Sequence, residues 1–264
     1  MDSKTYFEGV ESYRLLAKHE VGQNFLVDPN VAKRIVDTLE VKEGERVLEI
    51  GCGAGSLTYF LSLTPGKVTA IDIDEALLAK LQNDFQGKVD VIYGNATKFD
   101  YAPYDKIIGN LPYYITSLII EKALLGAKKA SRMAFMVQKE AGERLLSKPG
   151  TKDYGPLPIL ISLCCDAKKA FVVRRNSFAP APHVDSLVVT LEMGDPMEDS
   201  LPKAYALSQS LFLQRRKTLY NNLKNYLHDG AKAKALLAGL SLSETIRPEQ
   251  VTPEQYLALA KSIG

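Results

Sequence analysis

Short apolar runs alternate with amphipathic segments through the first half of the chain. Five runs have the length and composition of buried strands, and they cover residues 46–50, 67–72, 89–93, 105–109 and 133–137. Segments with a helical spacing of apolar residues lie between them, over 56–62, 74–85 and 116–127. Strands that alternate with helices in this way predict an α/β fold, in which a parallel sheet carries helices on both faces.

A further helix is predicted to begin at Asp28-Pro29. Asp is a preferred N-cap residue, and Pro is favoured at the first position of a helix. Val31, Ile35 and Leu39 then follow at intervals of four residues, so they form one apolar stripe along the helix.

The pattern changes in the second half of the chain. Residues 148–155 are rich in turn formers, and the longest apolar run, Pro158 to Cys165, has the length of a buried strand. Two β-rich segments, 170–173 and 186–191, have only a loop between them. Consecutive strands without a helix predict an antiparallel hairpin at the edge of the sheet.

The last quarter of the chain is helical in pattern. Residues 193–202 have the composition of a linker. Beyond them Leu219, Leu223 and Leu227 form one apolar stripe, and residues 253–263 are a further amphipathic segment. We therefore expect a domain over residues 1–195 and a small all-α domain over residues 196–264.

Composition indicates a globular protein whose charge is unevenly distributed. Of the 264 residues, 46% are hydrophobic and 24% are charged, and the net charge is +2. Residues 203–264 contain nine Lys or Arg and four Asp or Glu, so this segment alone carries +5. A basic segment on a near-neutral body indicates a polyanionic partner, and a solvated helical surface is the alternative.

Cysteine and histidine usage indicates reduced thiols and no metal site. The three cysteines form no C-x-x-C pair, and the three histidines are scattered along the chain. No apolar run approaches the roughly 18 residues of a membrane span, and the charged first ten residues lack an apolar signal segment. We therefore expect a cytoplasmic protein that has no membrane partner.

The segment Glu49-Ile-Gly-Cys-Gly-Ala-Gly55 joins a predicted strand to a helix. Its G-x-G-x-G spacing lacks the third glycine of the dinucleotide fingerprint, which disfavours a nicotinamide cofactor. A carboxylate at Glu49 suits a cationic ligand, such as one with a sulfonium and an amino group. Asp72 ends the next strand, where a carboxylate can accept both hydroxyls of a ribose, whereas Asp74 suits the N-cap of the following helix.

The segment Asn110-Leu-Pro-Tyr113 follows the fourth predicted strand, where ligands bind in open α/β sheets. Pro112 restricts Leu111 to extended geometry, so the Asn110 side-chain oxygen and the Leu111 carbonyl can accept both N–H bonds of a planar amine. Such contacts favour a pyramidal nitrogen and stabilise the positive charge that develops as a methyl group arrives. Tyr113 supplies a face on which a base can stack.

The chain resembles the KsgA-type small-subunit rRNA adenine dimethyltransferases, relatives of the erythromycin-resistance rRNA methylases, over nearly its whole length. The segments that carry the resemblance are Gly22-Gln-Asn-Phe-Leu-Val-Asp28, Glu49-Ile-Gly-Cys-Gly-Ala-Gly55, Asn110-Leu-Pro-Tyr-Tyr-Ile-Thr116, Gln138-Lys-Glu140, Lys148-Pro-Gly-Thr-Lys-Asp-Tyr-Gly155, Phe178-Ala-Pro-Ala-Pro-His-Val-Asp-Ser186 and Gln214-Arg-Arg-Lys-Thr-Leu-Tyr-Asn-Asn-Leu223. It implies a class I methyltransferase (Rossmann-like) sheet with an S-adenosylmethionine-binding catalytic domain over 1–195 and an RNA- or ribosome-binding domain over 196–264.

The resemblance also implies the reaction and the residues that serve it. The reaction would be N6,N6-dimethylation of two adjacent adenosines in the 3′-terminal hairpin of 16S rRNA, in a precursor of the small ribosomal subunit. S-adenosylmethionine would be bound by Gln23, Asn24, Leu26, Glu49, Gly51, Gly53, Asp72, Asn95 and Asn110. The target adenine would be held by Asn110, Leu111, Pro112, Tyr113 and Phe178. Arg215, Arg216 and Lys217, at the start of a predicted helix, would bind RNA; no metal is implied, and we expect a monomer.

Several positions depart from the family pattern. Asn95 stands where Asp is usual, and its amide oxygen can still accept from an adenine amino group. Asp72 stands where Glu is common, and Tyr114 where Asn is frequent. His183 and Tyr220 stand where Lys and Arg are expected, which predicts weaker binding of phosphates.

Other functions use similar residues. Methyltransferases that act on a different nucleic acid, or on a protein glutamine amide, have tetrads of the same type, but a protein substrate does not require a basic tail. A non-catalytic ribosome-assembly factor with this fold would bind RNA without need of Asn110 or Tyr113, and both are present.

Overall fold

The computed structural model describes residues 2–12, 24–194 and 199–263. The strands of this part of the chain are β1 (Phe25–Leu26), β2 (Arg46–Ile50), β3 (Lys67–Asp72), β4 (Val89–Tyr93), β5 (Lys106–Asn110), β6 (Arg132–Gln138), β7 (Cys165–Val173), β8 (Phe178–Ala179) and β9 (Ser186–Met193). Within these described residues, a seven-stranded sheet has the order β4-β3-β2-β5-β6-β9-β7, and β1 pairs with β8 in a separate ribbon.

The central strands of the large sheet are parallel, as the sequence predicts. β2 pairs with β3 and β5, β3 pairs with β4, and β5 pairs with β6, all in parallel register. Each of these strands begins and ends within one residue of its predicted bounds. Because parallel strands end at the same edge of a sheet, the residues that follow Ile50, Asp72 and Asn110 lie near one another.

The antiparallel edge of the sheet is also confirmed. β9 runs antiparallel to β6, with Arg132 opposite Glu192 and Gln138 opposite Ser186. β7 lies beside β9 and forms the outermost strand.

The helices up to residue 145 are α1 (Ser3–Ser12), α2 (Pro29–Asp37), α3 (Ser56–Leu61), α4 (Glu75–Asp84), α5 (Thr116–Gly126) and α6 (Lys139–Leu145). The predicted start of α2 is confirmed, since the Asp28 carboxylate accepts from the N–H groups of Asn30 at 3.0 Å and Val31 at 3.2 Å. The pattern did not predict α1, in which the Tyr6 hydroxyl donates to the carbonyl of Ala54 at 3.0 Å and so ties the helix to the glycine turn.

The described chain divides into two compact units. The first comprises Met1–Glu143 and Ala167–Met193, and the second comprises Arg144–Asp166 and Gly194–Gly264. The later helices are α7 (Pro156–Cys164), α8 (Leu201–Phe212), α9 (Leu219–Leu227), α10 (Gly230–Gly239) and α11 (Pro253–Ile263), with 3-10 turns at Arg175–Ser177 and Pro248–Gln250. Leu219, Leu223 and Tyr256 are buried in the core of the second unit, so the predicted helical pattern is confirmed.

The apolar run from Pro158 to Cys165 is a helix for most of its length and not a strand. α7 ends at Cys164, and its residues Ile159, Leu160 and Ile161 are each at most 2% exposed. A short helix in which nearly every residue is apolar has no polar face, so its sequence period does not distinguish it from a buried strand. Of the helices in the described ranges, none is long and apolar enough to cross a membrane.

Candidate active site

A cavity of about 310 Å³ lies at the carboxyl ends of β2, β3, β4 and β5. Its walls come from four short segments that follow these strands and from the start of the β1 ribbon. The lining residues are Asn24, Phe25, Ile50, Gly51, Gly53, Ile71, Asp72, Ile73, Gly94, Asn95, Ala96, Thr97, Asn110, Leu111, Pro112, Tyr113, Tyr114, Ile115 and Ile119. The structure therefore brings the predicted glycine turn, the strand-end carboxylate and the Asn-Leu-Pro-Tyr tetrad into one cavity.

The two glycines of the turn that line the cavity adopt conformations that side chains disfavour. Gly51 has φ of +70° and Gly53 has φ of +52°. A Cβ atom on Gly53 would lie 3.5 Å from the ring of Phe25, and one on Gly51 would lie 3.7 Å from the carbonyl oxygen of Asn110. The turn thus needs glycine for its backbone, and it presents bare main chain to the cavity.

The Asp72 carboxylate is held at the mouth of this turn by two backbone donors. One of its oxygens accepts from the N–H of Gly53 at 2.9 Å, and the other accepts from the N–H of Asp74 at 3.0 Å. Asp74 occupies the N-cap position of α4, but its side chain makes no capping hydrogen bond. Asp72 is therefore the fixed acceptor of the two carboxylates, and it lines the cavity.

Glu49 lies behind the cavity and does not line it. Its side chain is 1% exposed and accepts a hydrogen bond from the Thr58 hydroxyl on α3. The pKa of Glu49 is raised to about 8: burial raises it most, the hydrogen bond from Thr58 lowers it, and the negative charge of Asp72 adds to the rise. Glu49 joins the strand to α3 beneath the glycine turn, without direct access to a ligand in the cavity.

Asn95 lines the cavity at the end of β4, and its amide oxygen is already engaged. That oxygen accepts from the N–H of Thr97 at 2.9 Å and from the Thr97 hydroxyl at 2.8 Å. These two bonds do not involve the amide nitrogen, which is therefore the polar group that the side chain can offer to a ligand.

Asn110 is the last residue of β5, and its side-chain orientation is fixed by Asn24. The Asn110 amide nitrogen donates to the backbone carbonyl of Asn24 at 3.3 Å. Because the nitrogen is committed to that carbonyl, the side-chain oxygen is the acceptor that Asn110 offers to the cavity.

The backbone of the tetrad combines groups that are hydrogen-bonded with an open carbonyl at Leu111. The Leu111 N–H donates to the carbonyl of Met136 at 3.0 Å, and the Pro112 carbonyl accepts from the Thr116 hydroxyl at 3.0 Å. We find no hydrogen bond from the described residues to the Leu111 carbonyl. The Asn110 side-chain oxygen and this carbonyl are hydrogen-bond acceptors of two consecutive residues.

Tyr113 contributes a half-buried ring to the same wall. Its hydroxyl lies 3.4 Å from the hydroxyl of Ser186, which is fully buried at the start of β9. Burial raises the pKa of Tyr113 above its ordinary value of 10.0, so the hydroxyl is neutral near pH 7. The adjacent ring, Tyr114, is 60% exposed.

Two further residues implied by resemblance lie outside the cavity lining, as Glu49 does. Leu26 and Phe178 face each other in the β1–β8 ribbon and are 2% and 4% exposed, and neither lines the cavity. The Leu26 carbonyl accepts from the Ser56 hydroxyl at 2.6 Å, which ties the ribbon to the start of α3. Gln23 lies outside the described residues.

Part of the cavity wall is apolar, and the motifs in the sequence did not indicate it. Ile73 is 52% exposed although it is a large apolar residue, and it lines the cavity directly after Asp72. An isoleucine between two carboxylates at the end of a strand is the signal that could have identified it. Ile119 on α5 also lines the cavity, whereas the pattern predicts only that its segment is helical.

Comparison with known proteins identifies the family. Residues 14–264 match the family model described as ribosomal RNA adenine dimethylase. The chain belongs to this family. It is 38% identical to ribosomal RNA small subunit methyltransferase A of Lactobacillus helveticus over 275 residues, which is 96% of this chain and 94% of the relative.

Two solved structures support the same assignment of fold. A dimethyladenosine transferase from Plasmodium falciparum matches 88% of this chain and 94% of its own, with a TM-score of 0.76 and 28% identity. The 23S rRNA methyltransferase ErmE matches 90% of this chain and 99% of its own, with a TM-score of 0.68 and 25% identity. The Rossmann-like methyltransferase fold of the ribosomal RNA adenine dimethylase family is thereby confirmed.

The basic cluster of this family member lies in a turn and not at the start of a helix. α9 begins at Leu219, with Thr218 as its N-cap, so Arg215, Arg216 and Lys217 precede it. The expectation that these cations open the helix is wrong because the capping hydroxyl of Thr218, which accepts from the Asn221 N–H at 3.3 Å, sets the first turn.

The three cations of the turn differ in what they contact. The Arg215 guanidinium donates to the backbone carbonyls of Lys152 at 2.6 Å and Thr151 at 3.1 Å. It also lies 3.7 Å from the carboxylate of Glu249. Arg216 and Lys217 are exposed. Arg215 therefore holds two segments of the second unit together, and the other two cations face solvent.

Proposed function

We propose that this chain dimethylates N6 of two adjacent adenosines in the 3′-terminal hairpin of 16S rRNA, on a precursor of the small ribosomal subunit in the cytoplasm. Membership of the ribosomal RNA adenine dimethylase family supports this proposal. The observation that carries it is that the wall of the cavity offers two neighbouring hydrogen-bond acceptors, the Asn110 side-chain oxygen and the open Leu111 carbonyl.

The residues of the cavity fit S-adenosylmethionine. The bare main chain at Gly51 and Gly53 admits the methionine part, and Asp72 offers carboxylate oxygens to the ribose hydroxyls. Ile73 provides an apolar surface for the adenine ring. When bound there, S-adenosylmethionine supplies the methyl group.

The tetrad prepares the acceptor nitrogen. An aromatic amine is a poor nucleophile because its lone pair is delocalised into the ring. In the first transfer the Asn110 oxygen and the Leu111 carbonyl accept its two N–H bonds, which favours a pyramidal nitrogen with an available lone pair. In the second transfer the methylated nitrogen has one N–H left to donate to them. The same oxygens stabilise the positive charge on that nitrogen, and they are pre-organised by the bonds to Asn24 and Met136.

Tyr113 holds the target base by its ring and not by proton transfer. The ring lines the cavity next to the two acceptors, and a nucleobase taken out of its stack gains about 1–3 kcal/mol from such a surface. The proton of the methylated nitrogen passes to water, because a cationic N–H is acidic enough to leave without a strong base.

The second unit is the proposed RNA-binding domain of a monomer. Arg216 and Lys217 are exposed in its basic turn, and they would contact phosphates of the rRNA. Arg215 would position this turn through its bonds to Thr151 and Lys152.

Methyl transfer from labelled S-adenosylmethionine tests the proposal. The acceptors are unmethylated small subunits, naked 16S rRNA, mature subunits and 23S rRNA, because a structural neighbour is named as a 23S rRNA methyltransferase. We expect label on adjacent adenosines of unmethylated small subunits and none on 23S rRNA. Label on 23S rRNA alone would contradict the choice of substrate, and binding of subunits without any transfer would favour the assembly-factor alternative.

A further inference from the structure

A second groove lies further along the β1–β8 ribbon from the active-site cavity. Asn24 and Phe25 line the cavity, whereas Val27, Asp28 and Ser177 line the groove. The Val27 N–H donates to the Ser177 carbonyl at 2.8 Å and continues the ribbon between the two sites. Because a strand rises about 3.4 Å per residue, Phe25 and Val27 are about 7 Å apart. One nucleotide can span this distance.

One wall of the groove is a stacked pair of planar groups. The guanidinium carbon of Arg34, on α2, lies 3.8 Å from the centre of the Phe171 ring, on β7. Arg34 is exposed, and among the described residues we find no ion pair that involves it. The ring holds one face of the guanidinium, so the opposite face and the N–H edge remain for a ligand.

The rest of the groove has the groups that a nucleotide requires. Arg174 is exposed and forms no ion pair with the described residues, so its charge is available to a phosphate. Asn176 is an exposed amide that can donate to and accept from a base edge. Val172 is 36% exposed on the outermost strand and adds an apolar surface.

The groove contains one acidic side chain, which is already engaged. Asp28 accepts from the first N–H groups of α2, and its second oxygen lies 3.5 Å from the Ser177 hydroxyl. The two arginines therefore outweigh it, and the net charge of the lining is positive. A planar cation, a second cation and an amide at a positive groove suit single-stranded RNA better than an apolar protein segment.

We infer that this groove binds the nucleotide next to the target adenosine, with its base stacked on Arg34 and its phosphate at Arg174. The inference rests on the proposed function and adds a second RNA subsite to it. With one nucleotide in the cavity and its neighbour in the groove, the two bases would lie about two strand residues apart, from Phe25 to Val27, which is too far for them to stack on each other.

Binding of a synthetic hairpin RNA with the two target adenosines tests the groove. We expect Arg34→Gln to weaken the affinity at least about fivefold, and Arg34→Lys to recover little of it because an ammonium group cannot form the same stacked plane. Lys33→Gln is the matched control, since Lys33 is the preceding exposed cation of α2 and pairs with Asp37 at 2.7 Å outside the groove. Fluorescence anisotropy gives the dissociation constants, and thermal melts check that the variants are folded.

Two modified RNAs show which neighbouring base binds in the groove. The nucleotide on one side of the target adenosine is replaced by an abasic unit, and then the nucleotide on the other side. We expect one of these RNAs to bind the unchanged protein at least about fivefold more weakly, and to show no further loss with Arg34→Gln.

The outcomes separate the groove from the proposed function. Equal affinities for Arg34→Gln and Lys33→Gln, on naked hairpin and on small subunits, would overturn the subsite. Loss of affinity for intact subunits alone would assign the groove to a ribosomal protein and also overturn it. If the unchanged protein methylates neither hairpin nor subunits, the proposed function itself fails, and this is measured before any variant.

Discussion

The Glu49 carboxylate accepts a hydrogen bond from the Thr58 hydroxyl at 2.6 Å, and this is the bond that holds it in the core beneath the glycine turn. Burial raises the pKa of Glu49 from its ordinary value of 4.5 to about 8. At neutral pH the folded chain therefore retains a proton on Glu49, whereas the unfolded chain has lost it.

Stability of the ligand-free chain is predicted to fall as the pH rises from about 4.5 to about 8, and to level off above that. Between these values the unfolded state binds fewer protons, so unfolding becomes easier by up to about 1.4 kcal/mol per pH unit. Glu49→Gln keeps an acceptor for Thr58 and carries no titrating proton. We expect the melting temperature of this variant to exceed that of the unchanged chain by a margin that grows from pH 5 to pH 8.

Glu43→Gln is the control, because Glu43 is an exposed carboxyl close by in the chain. It should leave the pH dependence of melting unchanged. Parallel melting profiles for Glu49→Gln and the unchanged chain would mean that Glu49 is ionised in the folded protein.

Replacing Asn95 by Asp is predicted to strengthen binding of S-adenosylmethionine. The amide oxygen accepts both the N–H and the hydroxyl of Thr97, so the amide nitrogen, a donor, is left to meet the donor amino group of the cofactor adenine. Asp supplies a second oxygen that accepts from this group with a full charge. We expect the dissociation constant to fall about fivefold by calorimetry.

Asn83→Asp makes the same chemical change on an exposed face of α4 and should not alter the affinity. Weaker binding by Asn95→Asp would show that the amide nitrogen donates to the adenine ring, and would exclude the contact with the amino group.

Arg216→Gln and Lys217→Gln are predicted to weaken RNA binding by loss of phosphate contacts. Both side chains are exposed, so the folded unit should be unaffected. In a plot of log affinity against log salt concentration, we expect each variant to reduce the slope by up to about one unit. Lys232→Gln, an exposed cation on α10, is the control. If the variants and the control have equal salt slopes, Arg216 and Lys217 do not contact RNA and the turn is a solvated surface.

Arg215→Gln is predicted to act on folding and not on the salt slope alone. Its guanidinium holds the carbonyls of Thr151 and Lys152, and these bonds are lost in the variant. We expect a lower melting temperature without RNA, which Arg216→Gln should not cause. If Arg215→Gln and Arg216→Gln have the same melting temperature, the bonds of Arg215 to Thr151 and Lys152 do not stabilise the folded unit.

The sequence predicts the sheet well because each central strand is one apolar run between polar turns. It also places the tetrad and Asp72 at one edge, since parallel strands end together. It does not reveal α7, whose apolar residues have no polar face to set a period. The contacts of Arg215 with Thr151 and Lys152, and of Arg34 with Phe171, were inaccessible because these partners are more than 60 residues away in the chain. The Asn95–Thr97 bond spans two residues, and the Asn-x-Thr spacing could have indicated it.

Asn110→Ala is predicted to reduce turnover about a hundredfold or more, with small effects on cofactor and RNA affinity. The Asn110 oxygen interacts more strongly as the acceptor nitrogen becomes cationic, so its contribution is mainly to the transition state. Single-turnover methyl transfer at saturating RNA and cofactor measures this directly, and separate binding measurements detect any ground-state loss.

Tyr113 provides the contrast that distinguishes amine activation from base holding. Tyr113→Ala should weaken RNA binding by roughly 1–3 kcal/mol, because the stacking surface is lost. Tyr113→Phe keeps the ring and loses only the 3.4 Å contact with Ser186, so we expect nearly normal turnover and affinity. If Asn110→Ala also retains near-normal turnover at saturation, the tetrad does not activate the amine. The mechanism would then have to rest on positioning of the base alone, in which case Tyr113→Ala would be the more damaging change.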